Sequence, residues 1–190
     1  MQIILASASP RRKELLSQVI SEFQVQPADI EESFDSKLES LTAQVEDLAL
    51  RKARLIAQNC TSPTQILGSD TVVVIQQEVL GKPADAEDAA RMLGKLSGQW
   101  HEVITAVALI QTGEAPKELS NHAISRVKMK DLSPDEIQNY IASGEPLDKA
   151  GAYAIQGLAG VFVEKIEGSW DTIVGLPLEN VKALLSAVKA

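Results

Sequence analysis

The stretch Ile3-Ile4-Leu5-Ala6-Ser7-Ala8-Ser9-Pro10-Arg11-Arg12 leaves a chain few ways to fold. Three apolar residues predict a buried strand, and a short turn of small residues follows. Ser9 suits a helix N-cap and Pro10 the first helical position, where a missing amide hydrogen costs nothing. Leu15, Leu16, Val19 and Ile20 then give that helix one apolar face. Arg11 and Arg12 fall in its first turn, where positive charge opposes the helix dipole. Their placement makes sense if an anion binds at the free amides, and the bland alternative is a pair of solvated surface arginines. Neither the Walker A pattern nor the dinucleotide glycine fingerprint is present, so a phosphate site here takes another form.

Net charge is -8, which excludes a general nucleic-acid coat binder and confines any anion site to a local basic patch. The single cysteine, Cys60, cannot form an internal disulfide and suits a reducing compartment. No long apolar run or secretory leader is evident, so the expectation is a cytoplasmic protein without a membrane span. At 190 residues the chain is expected to form one domain, residues 1–190, with room for a sub-lobe.

Along the chain, Phe23 to Ile30 predicts a second strand, followed by the acidic pair Glu31-Glu32. Thr42 is the expected cap of a helix reaching about Asn59, with Val45, Leu48, Ala49, Leu55 and Ile56 as its apolar stripe. Lys52 sits inside that stripe, where a lysine either snorkels outward or meets a charge in a cleft. Ile66 to Ile75 is a β-prone run interrupted by Asp70. A carboxylate inside such a run needs a metal, a cation or open solvent beside it. A hairpin turn centred on Gln77 places Lys82 across from Thr71 or Val72, in diagonal reach of Asp70.

Asp85 caps the next predicted helix, which buries Ala89, Met92, Leu93 and Leu96 and ends at Ser97-Gly98. Strands are expected over Gln99–Ile110, Leu119–Lys130 and Val161–Ile166. Ser133-Pro134-Asp135-Glu136 is a capping box opening another helix. Glu145 to Gly160 reads as a long glycine-rich functional loop, and Val181, Leu184, Leu185 and Val188 line a final helix. Early alternation of strands and helices followed by antiparallel strands predicts an α/β class with a mixed sheet and flanking helices.

The unusual residues are thus the cations Arg11, Arg12, Lys52 and Lys82 with the carboxylates Glu31, Glu32 and Asp70. Cations hold phosphate oxygens, and carboxylates hold a hard divalent metal that bridges them. Hydrolysis of a phosphoanhydride needs water oriented by a carboxylate or metal, with charge on the leaving group neutralised. His101 and His122 lack metal-ligand spacing and read as structural.

Several short patterns now align with one family. They are Leu5-Ala-Ser-Ala-Ser-Pro-Arg-Arg12, Lys52-Ala53, Gly68-Ser-Asp-Thr71, Gly81-Lys-Pro83 and Ser97-Gly98 with His101. Glu145-Pro-Leu-Asp-Lys-Ala-Gly-Ala-Tyr153, Ile155-Gln-Gly157 and Gly175-Leu-Pro-Leu178 continue the series. In order and over nearly the whole chain, they resemble the Maf family of nucleoside triphosphate pyrophosphatases. Ala106 and Ala159 depart from the usual glycines without touching a charge assigned to chemistry.

The resemblance implies an inosine-triphosphate-pyrophosphatase-like fold with two lobes around a central cleft, commonly as a homodimer. It also implies hydrolysis of a nucleoside triphosphate to monophosphate and pyrophosphate with Mg²⁺ or Mn²⁺. Asp70 matches the proton acceptor and, with Glu32 or the adjacent Glu31, the acidic group for the metal. Ser7, Arg11, Arg12, Lys52 and Lys82 match the phosphate-handling group. Arg12, Thr71 and Gln156 match positions tied to substrate choice, in the combination of the dTTP- and UTP-cleaving subgroup. A glutamine amide, offering a donor and an acceptor, suits the O4 and N3–H edge of uracil or thymine. The competing readings are a nucleotide-binding regulator of cell division with little turnover, and a 7-methyl-GTP-type pyrophosphatase.

Overall fold

The computed structural model of the chain describes residues 1–35 and 37–188. Its elements run β1 Gln2–Leu5, α1 Pro10–Ser17, β2 Gln24–Val25, α2 Leu41–Ala57, β3 Thr64–Ile75, β4 Glu78–Leu80, α3 Ala86–Leu96 and β5 Trp100–Gln111. They continue with β6 Lys117–Met129, α4 Pro134–Ala142, three 3₁₀ turns, β7 Val163–Glu167, α5 Trp170–Val174 and α6 Leu178–Ala187. The sheet has strand order β2-β1-β3-β5-β6-β7, with β4 paired to β3. β1 runs parallel to β2 and β3, whereas β3–β4 and β6–β7 are antiparallel, so the sheet is mixed as expected.

The chain divides into two compact units. The first holds Met1–Asp70, Thr105–Ala123 and the chain from Gly175 onward. Its core includes Ile4, Ala6, Ala53, Ile56, Ile66 and Ile110; of the expected α2 stripe, Val45, Leu48, Ala49 and Ile56 are buried, while Leu55 is half-buried and Ala53 faces inward instead. The approach is close: a Cβ on Gly68 of β3 would lie 2.2 Å from the Ala49 carbonyl oxygen of α2. Only a residue without a side chain fits there.

The second unit holds Thr71–Ile104 and Ile124–Val174. Here α3 buries Ala89, Met92, Leu93 and Leu96 behind its Asp85 cap, and α4 begins with the complete Ser133–Glu136 capping box. The β3–β4 hairpin pairs Ile75 with Glu78, leaving Gln76 and Gln77 as a two-residue turn with φ of 49° and 67°. Both lie in the left-handed region that favours strand twist in tight hairpins.

Local expectations fail where polar chemistry competes with pattern. The second strand shrinks from Phe23–Ile30 to Gln24–Val25, because Pro27 removes a ladder donor just beyond it. Ser40, not Thr42, caps α2: its hydroxyl accepts from Ala43 N at 3.2 Å and also bonds the Thr42 hydroxyl. Val19 and Ile20 lie past the end of α1 and are half-buried. β4 ends at Leu80, so the Val73–Leu80 pairing does not extend to Lys82. The expected long loop is instead a series of 3₁₀ turns, Glu145–Asp148, Ala150–Ala152 and Leu158–Phe162. The last of these delays β7 to Val163, and a short helix, α5, follows Ser169.

Candidate active site

In the first unit the turn after β1 and the start of α1 form as the small residues dictate. Ser9 caps α1, accepting from Arg12 N at 3.4 Å, and its own amide donates to Ser7 Oγ at 3.2 Å. The Arg12 side chain turns back onto the framework. Its Nε donates to Gly175 O at 2.8 Å, and Nη1 donates to Ser69 O at 2.9 Å and to Ser7 Oγ at 3.4 Å. Ser69 Oγ donates to the same Gly175 oxygen at 2.9 Å. Arg12 therefore stitches β3 and the turn before α6 to the α1 turn. Burial draws its guanidinium below the ordinary value, an effect opposed by the charges of Asp70 and Glu32 and reinforced by Arg11. Arg11, one position earlier, is half-buried.

Lys52 meets a charge rather than snorkelling. It is 6% exposed, and its ammonium donates to Asp70 Oδ1 at 2.7 Å and to Glu32 Oε1 at 2.8 Å. Asp70 is also 6% exposed. Of the metal, cation or open solvent expected beside that carboxylate, a cation from the α2 stripe is found, four residues after Leu48 and four before Ile56. Between Glu31 and Glu32, the lysine takes Glu32. Two carboxylates converge on one ammonium, with the Glu32 side chain partly exposed and the Asp70 side chain enclosed.

In the second unit Thr71 follows Asp70 along β3 and is half-buried. Lys82 is exposed just after β4, and Gln156 is exposed between two 3₁₀ turns. A clasp that sequence reasoning missed holds the chain beside Gln156. Glu145 accepts from Leu158 N at 3.2 Å and from Tyr140 Oη at 3.0 Å. A Cβ on Gly157 would lie 2.2 Å from Glu145 Oε1, so glycine leaves the space that carboxylate fills. Burial, and then the Glu145 bond, raises the Tyr140 hydroxyl well above its ordinary value. His101 is also buried, with Nε2 2.7 Å from Tyr153 Oη.

Among the described residues no group of three or more His, Cys, Asp and Glu side chains stands ready to hold a metal ion. Asp70 and Glu32 nonetheless offer hard oxygen donors, one oxygen of each being taken by the Lys52 ammonium. A small divalent cation commonly uses one or two carboxylates and completes its shell with water and substrate phosphate. The donor set fits such an ion.

Comparison with known proteins adds a family, relatives and a fold. The family model described as Maf-like protein matches residues 2–188. The dTTP/UTP pyrophosphatase of Hahella chejuensis is 48% identical over 97% of this chain and 90% of that protein. The dTTP/UTP pyrophosphatase of Moorella thermoacetica is also 48% identical, over 97% of this chain and 94% of its own. Among solved structures, a HAM1 protein from Coxiella burnetii is 15% identical and covers 98% of this chain and 99% of its own, with a TM-score of 0.55. That likeness concerns the fold alone.

Proposed function

This chain belongs to the Maf-like protein family, and from that membership and the Lys52-centred ion pairs we propose a nucleoside triphosphate pyrophosphatase cleaving dTTP and UTP. The observation that carries the substrate is the 48% identity, over nearly the whole chain, to relatives named dTTP/UTP pyrophosphatases. The observation that supports turnover is the buried carboxylate of Asp70 held by Lys52.

In the proposed reaction, water attacks the phosphate chain and its oxygen forms a bond to the α-phosphorus. The bond from that phosphorus to the bridging oxygen breaks, pyrophosphate leaves with the electron pair, and Asp70 Oδ2 takes the proton from water. Lys52 orients Asp70 through Oδ1, which keeps the other oxygen available. Ser7, Arg11, Arg12 and Lys82 are assigned to the triphosphate, in line with the family pattern they match. Thr71 and Gln156 are assigned to the base. Asp70 and Glu32 would hold Mg²⁺ or Mn²⁺, which when bound supplies charge neutralisation for the departing pyrophosphate.

We also propose a homodimer in the cytoplasm that binds no nucleic acid. The dimer follows the family pattern, the acidic net charge supports the absence of nucleic acid, and the lone Cys60 supports a reducing compartment. The deciding experiment is pyrophosphate release from dTTP, UTP, dCTP and 7-methyl-GTP, with Mg²⁺ or Mn²⁺ and with chelator. Release fastest from dTTP and UTP is expected. Faster cleavage of 7-methyl-GTP would overturn the substrate, and no release above background would favour the regulator reading.

A further inference from the structure

Glu32 belongs to a stretch between β2 and α2 that has no helix or strand among its described residues, yet its carboxylate meets Lys52 at 2.8 Å. Something must hold that backbone, because an ion pair with a partly exposed partner is weak by itself. The neighbour of Lys52 on α2 does so. Arg51 Nη1 donates to Glu31 O at 3.3 Å, and Nη2 donates to Ser33 O. One guanidinium thereby grips the carbonyls on both sides of Glu32. Its Nε is pinned in turn by Asp47 Oδ2 at 2.8 Å, one helical turn earlier.

We propose that Arg51 is a positioning residue that sets the Glu32 carboxylate against Lys52 by clamping residues 31 and 33. The inference rests on the role given to Glu32 above. The planar fork of arginine spans two acceptors at once, and a lysine at the same place reaches one. With consecutive residues of one helix taking the two neighbouring carbonyls and the side chain between them, the loop has one seating. Asp47 makes that seating stiff by removing rotation of the guanidinium about its stem.

The test compares Arg51→Ala, Arg51→Lys, Glu32→Gln and the Arg51→Ala/Glu32→Gln double variant by dTTP turnover, Mg²⁺ dependence and amide hydrogen exchange. Arg51→Ala should lower turnover by about ten- to a hundredfold, as removal of an orienting partner typically does, and raise the Mg²⁺ concentration needed. Exchange across residues 29–35 should quicken while that of α2 stays put, and Arg51→Lys should fall between. In the Glu32→Gln background Arg51→Ala should cost little further turnover, because both act through one carboxylate. Fully additive losses, or unchanged exchange in residues 29–35 of Arg51→Ala, would overturn the clamp. Wild-type turnover and Mg²⁺ dependence in Glu32→Gln would instead overturn the role of Glu32, with quickened exchange in Arg51→Ala still showing the clamp itself.

Discussion

Lys52 Nζ stands 2.7 Å from Asp70 Oδ1, and both side chains are less than a tenth exposed. Each explains the burial of the other. A buried carboxylate or ammonium alone is costly, while a hydrogen-bonded pair is tolerated.

The first prediction separates chemistry from stability at this pair. Asp70→Asn leaves Lys52 its bond to Glu32, so the fold should survive while turnover falls by about 10²–10⁴-fold, the usual share of a general base. Lys52→Ala strands Asp70 and should cost roughly 3–5 kcal/mol as well as activity. The double variant should regain much of that stability and none of the activity. Denaturant melts beside steady-state kinetics read both, and near-wild-type turnover in Asp70→Asn would remove Asp70 from the mechanism.

Gly68→Ala should disturb the same pair from a distance. The added carbon meets backbone on α2, 2.2 Å from Ala49 O and 3.1 Å from Ala53 N, which cannot rotate away. The helix must shift, and it carries Lys52. A loss of about 1–3 kcal/mol or more is expected, with reduced turnover. An unchanged midpoint would mean that α2 rides more loosely on β3 than the contact shows.

Substrate choice should respond at the exposed turn. Gln156→Glu removes a donor, so dTTP and UTP cleavage should fall more than cleavage of a purine triphosphate. Gly157→Ala should act in the same direction, by pushing Glu145 off Leu158 N. Equal losses across all nucleotides in both variants would sink the assignment of Gln156 to the base.

Acid should weaken the fold through His101. Burial holds its imidazole down to about 4, against 6.5 in an unperturbed histidine. Between those values the unfolded chain binds more protons than the folded one, so stability is full above 6.5 and declines as pH falls. At pH 5 the loss should be about 2 kcal/mol, and it should vanish in His101→Phe when each protein is compared with itself at pH 7. Glu136, drawn down to about 2 by its bond from the Ser133 amide, titrates below that window. An identical pH slope in the variant would clear His101 of any part.

Activity should require a divalent ion, since the carboxylates of Glu32 and Asp70 and a triphosphate place like charges together. Excess chelator is expected to abolish pyrophosphate release, and restored Mg²⁺ or Mn²⁺ to recover it. Full activity in chelator would remove the metal from the scheme.

What the sequence alone determined is whatever depends on neighbours in the chain. Ser9 and Pro10 start α1, Asp85 and Ser133 start α3 and α4, and the 3.6-residue period fixes the buried face of α2. Asp70 inside an apolar run announced a need for a metal, a cation or open solvent, because desolvation is a property of the residue and its strand. Only the tertiary structure decided who supplies the cation. Lys52 rather than the hairpin lysine holds Asp70 Oδ1, Glu32 rather than Glu31 joins it, and Arg12 turns its Nε to Gly175 O and its Nη1 to Ser69 O. Arg51 carries no sequence signal at all of its grip on residues 31 and 33. Such bonds join residues up to 163 positions apart, and their geometry follows from how distant elements pack, which no local period encodes.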